Sequence, residues 1–333
     1  MRRAAFRWVS LAAAGLAVWI SLQAVASPAV GPVRLAMAIP GAAGQTPVSD
    51  DRVLERIDRY VQQEMDASRI PGVAVAIVRG ANVVHRRGFG WDGYGRPITP
   101  QTPFPIGSLT KSFTALATRQ LAEAGRIRLD DPVQRYLPWF RVSDPEASAR
   151  VTVRHLLNQT SGLSRAAGIA PVAQESQASL LEIVRGLEYT PLNRPVGESY
   201  EYSNLNYAVL GLLIETVAEQ PWATYIERHV FAPVGMTQSY TTYRAARAAG
   251  MTALHQYWFG LPRRRELVYL PGLAPTGYLA SSVDDMARYL SVYLRDGSTS
   301  QTRPLSDAGI AGMLAPATNA VTVRLLSHLF TAR

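Results

Sequence analysis

The chain has 333 residues, 47% of them hydrophobic and 18% charged, which is enough for a globular core in one large domain or two. The net charge is +9, but the arginines are scattered, apart from the run at 263–265, and form no concentrated basic stripe, which argues against nucleic acid as a partner. The chain has no cysteine, which excludes a disulfide framework, a thiolate nucleophile and a cysteine-ligated metal.

The first 26 residues have the pattern of a secretory signal peptide. Three arginines within the first seven residues precede an apolar, uncharged run over residues 8–25, and Ala-Val-Ala at 24–26 matches a cleavage site. We therefore expect an exported protein, periplasmic or associated with the cell envelope. The run is almost long enough to span a bilayer, so an uncleaved membrane anchor is the alternative. Residues 27–49, rich in Ala, Pro and Gly without periodicity, are predicted to be a linker before a domain over residues 50–333.

A helix and a pair of strands are predicted at the start of this domain. Apolar residues from Val53 to Met65 recur at helical spacing, with Ser49 or Asp50 as the N-cap. After the break at Pro71, residues 73–78 have the composition of a buried strand, and a turn at 80–82 leads into a second strand over 83–87.

Residues 88–93 fit the pattern Gly-x-Gly-x-x-Gly and follow a predicted strand. A nucleotide-binding loop of this type leads directly into a helix. Here the motif is followed by Gly95 and by prolines at 97, 100, 103 and 105, which do not start a helix. The glycines are therefore interpreted as loop residues leading to Ser108.

The strongest chemical signal is Lys111, because it is the only lysine among 34 basic residues. Arginine stays charged in proteins, whereas a lysine amine can lose its proton when it is buried. A lone lysine is therefore best explained by a role that needs a neutral amine, such as taking a proton from a nearby hydroxyl. The alternative is a surface lysine that lies near a serine by chance.

Ser108 is the nearest candidate for that hydroxyl. Residues 108–124 contain neither glycine nor proline and carry apolar residues at helical spacing, with Gly125 as the C-terminal cap. On this helix Ser108 and Lys111 are separated by three residues, so they share a face. Ser108 also lies in the first turn, where free N–H groups and the helix dipole favour developing negative charge. The sequence thus brings together a nucleophile, a base and part of an anion site.

A second polar group, Tyr202-Ser203-Asn204, precedes a helix with an apolar face from Leu205 to Val217. Taken alone, Asn204 is explained as an N-cap and Tyr202 as a packing aromatic residue. Between the two groups, Asp130 and Asp131 are predicted to cap the turn after Pro132. His155 lies in an apolar helical context, and we interpret it as structural.

Together, Ser-x-x-Lys at a helix start and Tyr-x-Asn further along the chain resemble the serine β-lactamase and penicillin-binding-protein family, in the branch of class C β-lactamases, D-aminopeptidases and esterases. The resemblance covers about residues 50–316. It is carried by residues 104–115 (Phe-x-Ile-Gly-Ser-Leu-Thr-Lys-Ser-Phe-Thr-Ala), 156–163 (Leu-Leu-x-Gln-Thr-Ser-Gly-Leu), 202–204 (Tyr-Ser-Asn), 233–236 (Pro-Val-Gly-Met) and 277–286 (Gly-Tyr-Leu-Ala-Ser-Ser-x-x-Asp-Met).

The resemblance implies an α/β (α+β) fold of the β-lactamase/transpeptidase type, with an antiparallel sheet flanked by helices and a mainly helical subdomain. It implies that Ser108 attacks an amide or ester carbonyl to form an acyl-enzyme, without a cofactor. Lys111 and Tyr202 would share the proton transfers, holding one proton between them if the lysine charge lowers the tyrosine pKa. Asn204 would orient Lys111 or bind the substrate amide. The Ser108 N–H would donate to the oxyanion. The implied substrate is a β-lactam, a D-amino-acid peptide or an ester, and thus a small molecule or a peptidoglycan component.

The sequence departs from the family pattern near its end. The family's third motif, Lys/His-x-Gly on an edge strand, has no equivalent here, and only 47 residues follow Met286. We therefore expect the C-terminal strands to be missing, as in a truncated or frame-altered product. This departure leaves a second hypothesis open, in which an impaired or inactive member binds the cell envelope or peptidoglycan.

Other hydrolase classes find less support in the sequence. No serine lies in Gly-x-Ser-x-Gly, the nucleophile motif of α/β-hydrolases. The five histidines, at 85, 155, 229, 255 and 328, include no His-Glu-x-x-His pair, so no metal site is expected.

Overall fold

The computed structural model describes residues 50–294 and 303–317. The predicted signal peptide, the linker and the chain after residue 317 lie outside the described residues. Within the described ranges, no helix combines the length and the apolar character needed to cross a bilayer.

Helices are the commonest element in the described chain. The α-helices are α1 (Asp50–Ser68), α2 (Thr110–Glu123), α3 (Pro145–Arg150), α4 (Val153–Leu157), α5 (Arg165–Ala173), α6 (Leu180–Arg185), α7 (Asn204–Ala218), α8 (Trp222–Ile226), α9 (Ala232–Val234), α10 (Tyr243–Ala248), α11 (Ala274–Gly277), α12 (Val283–Leu294) and α13 (Asp307–Leu314). Short 3-10 turns cover Gly107–Leu109, Val133–Arg135, Gly186–Tyr189 and Pro271–Leu273, and a π turn covers Glu227–Phe231. The helices predicted after the linker, at Ser108 and after Tyr202 are confirmed as α1, α2 and α7.

The strands form three separate antiparallel groups. They are β1 (Gly72–Arg79), β2 (Asn82–Gly90), β3 (Phe104–Pro105), β4 (Ser239–Tyr240), β5 (Leu254–Trp258), β6 (Leu261–Arg265) and β7 (Ala280–Ser281). β1 pairs with β2, β5 pairs with β6, and β7 lies between β3 and β4. The predicted mixed α/β class is confirmed.

The β1–β2 hairpin confirms the strand pair but not its predicted burial. Every residue from 73 to 78 is only half-buried. Helix α12 packs on β1, and α1 contacts β2 through a 2.8 Å bond between Asp58 Oδ1 and His85 Nε2. The described chain adds no third strand to this pair. The apolar residues of β1 therefore keep part of their surface in solvent.

The Gly-x-Gly-x-x-Gly segment serves packing rather than phosphate binding. Gly88 and Gly90 belong to β2, not to a loop as predicted, and no helix follows them. A Cβ atom on Gly88 would lie 2.1 Å from the Ile98 carbonyl oxygen, so only glycine permits this close approach of two backbones. Gly93 has φ +85°, which fits the turn that leads on toward β3.

The three short strands hold the start of α2 against the segment that contains α11. The Ile106 N–H donates to the Leu279 carbonyl at 3.0 Å. The Leu279 N–H donates to Thr110 Oγ1 at 3.2 Å. These bonds fix the Gly107–Leu109 turn beside α11.

Helix α7 lies at the centre of the core. It packs against α2, α4, α6, α8 and α11, and residues 205–214 are all buried. The sequence pattern indicated one apolar face, whereas residues 205–214 are buried on all sides of the helix. Its first residue therefore has a rigid position relative to α2.

The sequence predicted structural roles for Asp130, Asp131 and His155, and the structure corrects the role predicted for the two aspartates. The turn after Pro132 has no side-chain cap, so the predicted capping role of Asp130 and Asp131 is wrong. Asp130 instead pairs with Arg154, with Nε–Oδ1 at 2.6 Å. His155 forms a capping box with Thr152 at the start of α4, which agrees with a structural role.

Candidate active site

Helix α2 and the turn before it place Ser108 above Lys111. Gly107 has φ +53°, which lets the chain turn sharply into the Gly107–Leu109 segment. Ser108 is exposed, whereas Lys111 is only 6% exposed. Lys111 Nζ lies 3.2 Å from Ser108 Oγ. The hydroxyl thus faces solvent with a buried amine directly beneath it, and the surface-lysine alternative is wrong.

Tyr202 and Asn204 reach the same place from the start of α7. The Tyr202 hydroxyl lies 2.7 Å from Ser108 Oγ. Asn204 Oδ1 accepts a hydrogen bond from Lys111 Nζ at 2.9 Å. The N-cap position belongs to Ser203, so the N-cap interpretation of Asn204 is wrong. The structure therefore brings together all four residues predicted from the sequence.

The Lys111 amine has three oxygen neighbours with different roles. Besides Ser108 Oγ and Asn204 Oδ1, the Thr276 carbonyl accepts from Nζ at 2.6 Å. Asn204 Nδ2 donates to the Gly168 carbonyl at 3.0 Å, so the amide oxygen must face the amine. The Asn204 amide oxygen and the Thr276 carbonyl oxygen can only accept hydrogen bonds, whereas the Ser108 hydroxyl also carries a proton that it can donate. A neutral amine that donates to Asn204 and Thr276 consequently directs its lone pair at Ser108.

Burial favours this neutral form. Desolvation lowers the pKa of Lys111 from 10.5 to about 7. The amine is therefore unprotonated in a substantial fraction of molecules at neutral pH, while a protonated Lys111 would still find three acceptors. An amine that is stable in both forms can take and return a proton.

The pKa of Tyr202 is shifted upward from its ordinary value. Burial raises the pKa of this phenol, although the hydrogen bond with Ser108 lowers it in part. The condition for a proton shared between Lys111 and Tyr202, a lowered tyrosine pKa, is therefore not met. Lys111 Nζ lies 4.8 Å from the centroid of the Tyr202 ring. Tyr202 thus carries its own proton at neutral pH, and Lys111 is the better base.

A buried polar network that the sequence analysis did not identify supports Tyr202 and Asn204. Gln159 Oε1 accepts from the Ser203 N–H at 2.9 Å and from Asn206 Nδ2 at 2.6 Å. Ser161 Oγ donates to Asn206 Oδ1 at 2.5 Å. Gln159 and Ser161 belong to the 156–163 segment that carried part of the resemblance. The segment was therefore a signal, but its function in supporting the site required the structure.

The Thr276 contact was also missed, because a backbone carbonyl carries no signal in the side-chain sequence. For metals, the described part of the chain contains no cluster of three or more His, Asp or Glu side chains suited to an ion. The site consists of a serine, an amine, a phenol and an amide.

Comparisons with known proteins agree with this arrangement. The family model for Beta-lactamase matches residues 57–324. Penicillin-binding protein 4 of Amycolatopsis lactamdurans is 31% identical over 267 residues, which are 76% of this chain and 68% of that protein. Protein flp of Staphylococcus aureus strain MW2 is 28% identical over 249 residues, 72% of this chain but 49% of that protein. The chain thus spans about half the length of this relative.

A solved structure supports the fold. The octameric penicillin-binding protein homologue from Pyrococcus abyssi matches with a TM-score of 0.70 and 28% identity, over 81% of this chain and 61% of that one. This match and the family model confirm the fold and the family resemblance that the sequence motifs predicted.

Proposed function

Because the chain belongs to the beta-lactamase family, we propose that it is a serine hydrolase that cleaves amide or ester carbonyls through an acyl-enzyme on Ser108. The observation that carries this proposal is the position of Ser108 Oγ, exposed to solvent and within hydrogen-bond distance of both Lys111 Nζ and the Tyr202 hydroxyl. A nucleophile with an adjacent base and a second proton carrier is the arrangement that acyl transfer needs.

Acylation begins with proton transfer to the buried amine. Ser108 Oγ forms a bond to the substrate carbonyl carbon while its proton moves to neutral Lys111 Nζ. The carbonyl π electrons move onto the oxygen, which accepts from the Ser108 N–H in the short turn that leads into α2. The bond to the leaving nitrogen or oxygen then breaks. The Tyr202 hydroxyl donates a proton to that atom, and Lys111 returns a proton to the phenolate.

Deacylation repeats the sequence with water. A water molecule at the acyl-enzyme gives a proton through Tyr202 to Lys111 and attacks the ester carbon. The bond to Ser108 Oγ breaks, and the serine oxygen recovers a proton from the lysine. Asn204 keeps the amine aligned throughout, because its amide oxygen is fixed by the bond from Nδ2 to Gly168.

The proposed substrates are β-lactams, D-amino-acid peptides or esters, and the proposed location is the periplasm or cell envelope. The exposure of Ser108 supports a substrate that approaches from solvent. The names of a relative, a penicillin-binding protein, and of a solved structure, a penicillin-binding protein homologue, support a substrate of the peptidoglycan type.

Covalent labelling tests the proposal. The full chain is incubated separately with a fluorescent penicillin and with a fluorophosphonate, and the adduct is located by mass spectrometry of peptides. We expect a label on Ser108 with at least one probe and none on the Ser108→Ala variant. A chain with an intact circular dichroism spectrum that takes no label would contradict the proposal. Saturable peptidoglycan binding by that unlabelled chain would instead favour an envelope-binding module.

A further inference from the structure

The β5–β6 hairpin, far along the chain from Ser108, presents a cluster of apolar side chains to solvent. Trp258 is 63% exposed, Phe259 91% and Leu261 49%, so three large apolar residues occupy four consecutive positions. The Trp258 and Phe259 rings contact each other edge to face, with centroids 5.3 Å apart. An exposed apolar patch of this kind marks an interaction surface.

The strand register places positive charge directly behind this tip. Trp258 pairs with Leu261, Gln256 with Arg263, and Leu254 with Arg265. Paired residues, and residues two positions apart in a strand, share one face of a hairpin. One face therefore runs from an apolar end, Trp258 and Leu261, to two exposed arginines.

The opposite face is fastened to the body of the protein. The Tyr257 hydroxyl donates to the Ser68 carbonyl at 2.8 Å, at the end of α1. The Arg264 guanidinium lies 5.1 Å from the centroid of the Tyr94 ring. The face with Trp258, Leu261 and the other two arginines is thus the one that remains free to bind.

The tip itself has a defined conformation. Phe259 and Gly260 have φ values of +47° and +74°, which fit a two-residue hairpin turn. Arg69 Nη1, directly after α1, donates to the Gly260 carbonyl at 3.1 Å and fixes the position of the turn. The aromatic rings are therefore presented to solvent by a supported backbone.

The three arginines of β6 are not neutralised by nearby acids. Within the described ranges, none of Arg263, Arg264 and Arg265 forms an ion pair with Asp or Glu within 4.0 Å. The Arg265 guanidinium donates instead to a neutral acceptor, Gln256 Oε1, at 3.2 Å. Their charge is available to an anionic partner.

We propose that this hairpin docks the protein on an anionic phospholipid bilayer, with Trp258, Phe259 and Leu261 entering the interface and Arg263 and Arg265 contacting lipid phosphates. Tryptophan and phenylalanine prefer the boundary between headgroups and acyl chains. Arginines beside them are attracted by the negative surface potential of anionic lipids. A projecting apolar tip on a narrow hairpin needs a deformable apolar acceptor, which a lipid layer supplies without a matching pocket. The proposal is independent of the activity of Ser108.

The absence of cysteine allows a direct test at the tip. A single cysteine is introduced by Leu261→Cys in the full chain and labelled with an environment-sensitive fluorophore. Vesicles of equal parts phosphatidylglycerol and phosphatidylcholine are then added. We expect a blue-shifted, stronger emission that lipids with brominated acyl chains quench. Pure phosphatidylcholine should give an affinity lower by about tenfold or more, since each arginine contributes to attraction.

Three further variants carry the controls. The same label at Tyr189→Cys, on an exposed side chain of another surface, should show no change. In the labelled chain, Trp258→Ser with Phe259→Ser should abolish the blue shift. Arg263→Gln with Arg265→Gln should lower the affinity for the anionic vesicles by about tenfold. Replacement of exposed Arg228 by Gln should leave this affinity unchanged.

An unchanged emission at position 261 contradicts the proposal, whether the chain remains free or sediments with the vesicles through another segment. An equal change on addition of a soluble anionic polymer also contradicts it, because that result would assign the arginines to anions in general.

Discussion

At the scale of single residues, the environment of Lys111 determines the chemistry. Its amine is buried, and the oxygens of Asn204 and Thr276 occupy two hydrogen-bonding directions. The third direction points to Ser108. The same amine on the surface would stay protonated at neutral pH and would not accept a proton.

The pH dependence of acylation follows from this burial. The reactive form of Lys111 is the neutral one, which predominates above its pKa of about 7. Tyr202 must remain protonated, and burial moves its pKa upward, away from the neutral range. We therefore expect the rate of Ser108 labelling by a fluorophosphonate to rise with pH and to level off above about 7. A rate that is flat, or that falls, between about pH 5 and pH 9 would argue against a lysine base.

The phenol of Tyr202 offers a second prediction. Tyr202→Phe removes the proton carrier 2.7 Å from Ser108 Oγ and keeps the ring. We expect turnover to fall by about 10²- to 10⁴-fold, the usual contribution of one general acid or base. Steady-state hydrolysis of a chromogenic ester or β-lactam measures this loss. Exposed Tyr200→Phe is the matched control and should retain full activity; an active Tyr202→Phe enzyme would remove the phenol from the mechanism.

Single residues also show the limits of sequence reasoning. The positions of Ser108, Lys111, Tyr202 and Asn204 followed from two motifs and one helix period, because each side chain had a chemical identity to read. The direction of the Tyr202 pKa did not follow, since it depends on burial. The Thr276 contact belongs to the backbone, which is the same for every residue type.

At the scale of elements, the site depends on how the segment before α7 is held. The Gln159 carboxamide oxygen accepts from two buried donors, the Ser203 N–H and Asn206 Nδ2. Gln159 is itself buried and has φ +60°, an uncommon conformation for a residue other than glycine. The conformation of Tyr202-Ser203-Asn204 is thus imposed from the neighbouring turn.

Gln159→Met tests this support. The variant keeps the side-chain length but leaves two buried donors without a partner, at about 1–3 kcal/mol for each. We expect the free energy of unfolding to drop by about 2–6 kcal/mol in urea denaturation, together with slower labelling of Ser108. Exposed Gln177→Met is the control and should change neither quantity. A Gln159→Met protein as stable as the parent would show that water or a shifted backbone satisfies these donors.

Elements were predictable where a period was long enough to read. Helices α1, α2 and α7 each show apolar residues over several turns, and β1 and β2 are bounded by clear breaks. The two-residue strands β3, β4 and β7 escaped prediction, because a period of two needs more residues to appear. Asp130 resembled a cap but pairs with Arg154 of α4, which is a tertiary effect.

At the scale of the whole molecule, the catalytic helix is part of the core. Phe113, two residues after Lys111, is fully buried and stacks on Tyr289 of α12 with ring centroids 4.0 Å apart. It also meets Phe231 edge to face at 5.8 Å. The position of Ser108 is therefore coupled to the packing of the fold.

Phe113→Ala should show this coupling. Removing a buried ring costs about 3–5 kcal/mol, which combines lost burial with the cavity that remains. We expect a loss of this size in the free energy of unfolding, measured by urea denaturation. Tyr189→Ala removes an exposed ring and should change the stability by no more than about 0.5 kcal/mol. Equal stability of the two variants would mean that α2 is not anchored in the core.

The most direct test of the account is the titration of the Lys111 amine itself. Since Lys111 is the only lysine in the sequence, lysine labelled isotopically at Cε gives one side-chain signal in a heteronuclear NMR spectrum. We expect this signal to titrate with a midpoint of about pH 7, and Ser108→Ala to leave the single signal in place. A midpoint near 10.5, the ordinary value for lysine, would contradict the assignment of Lys111 as the base.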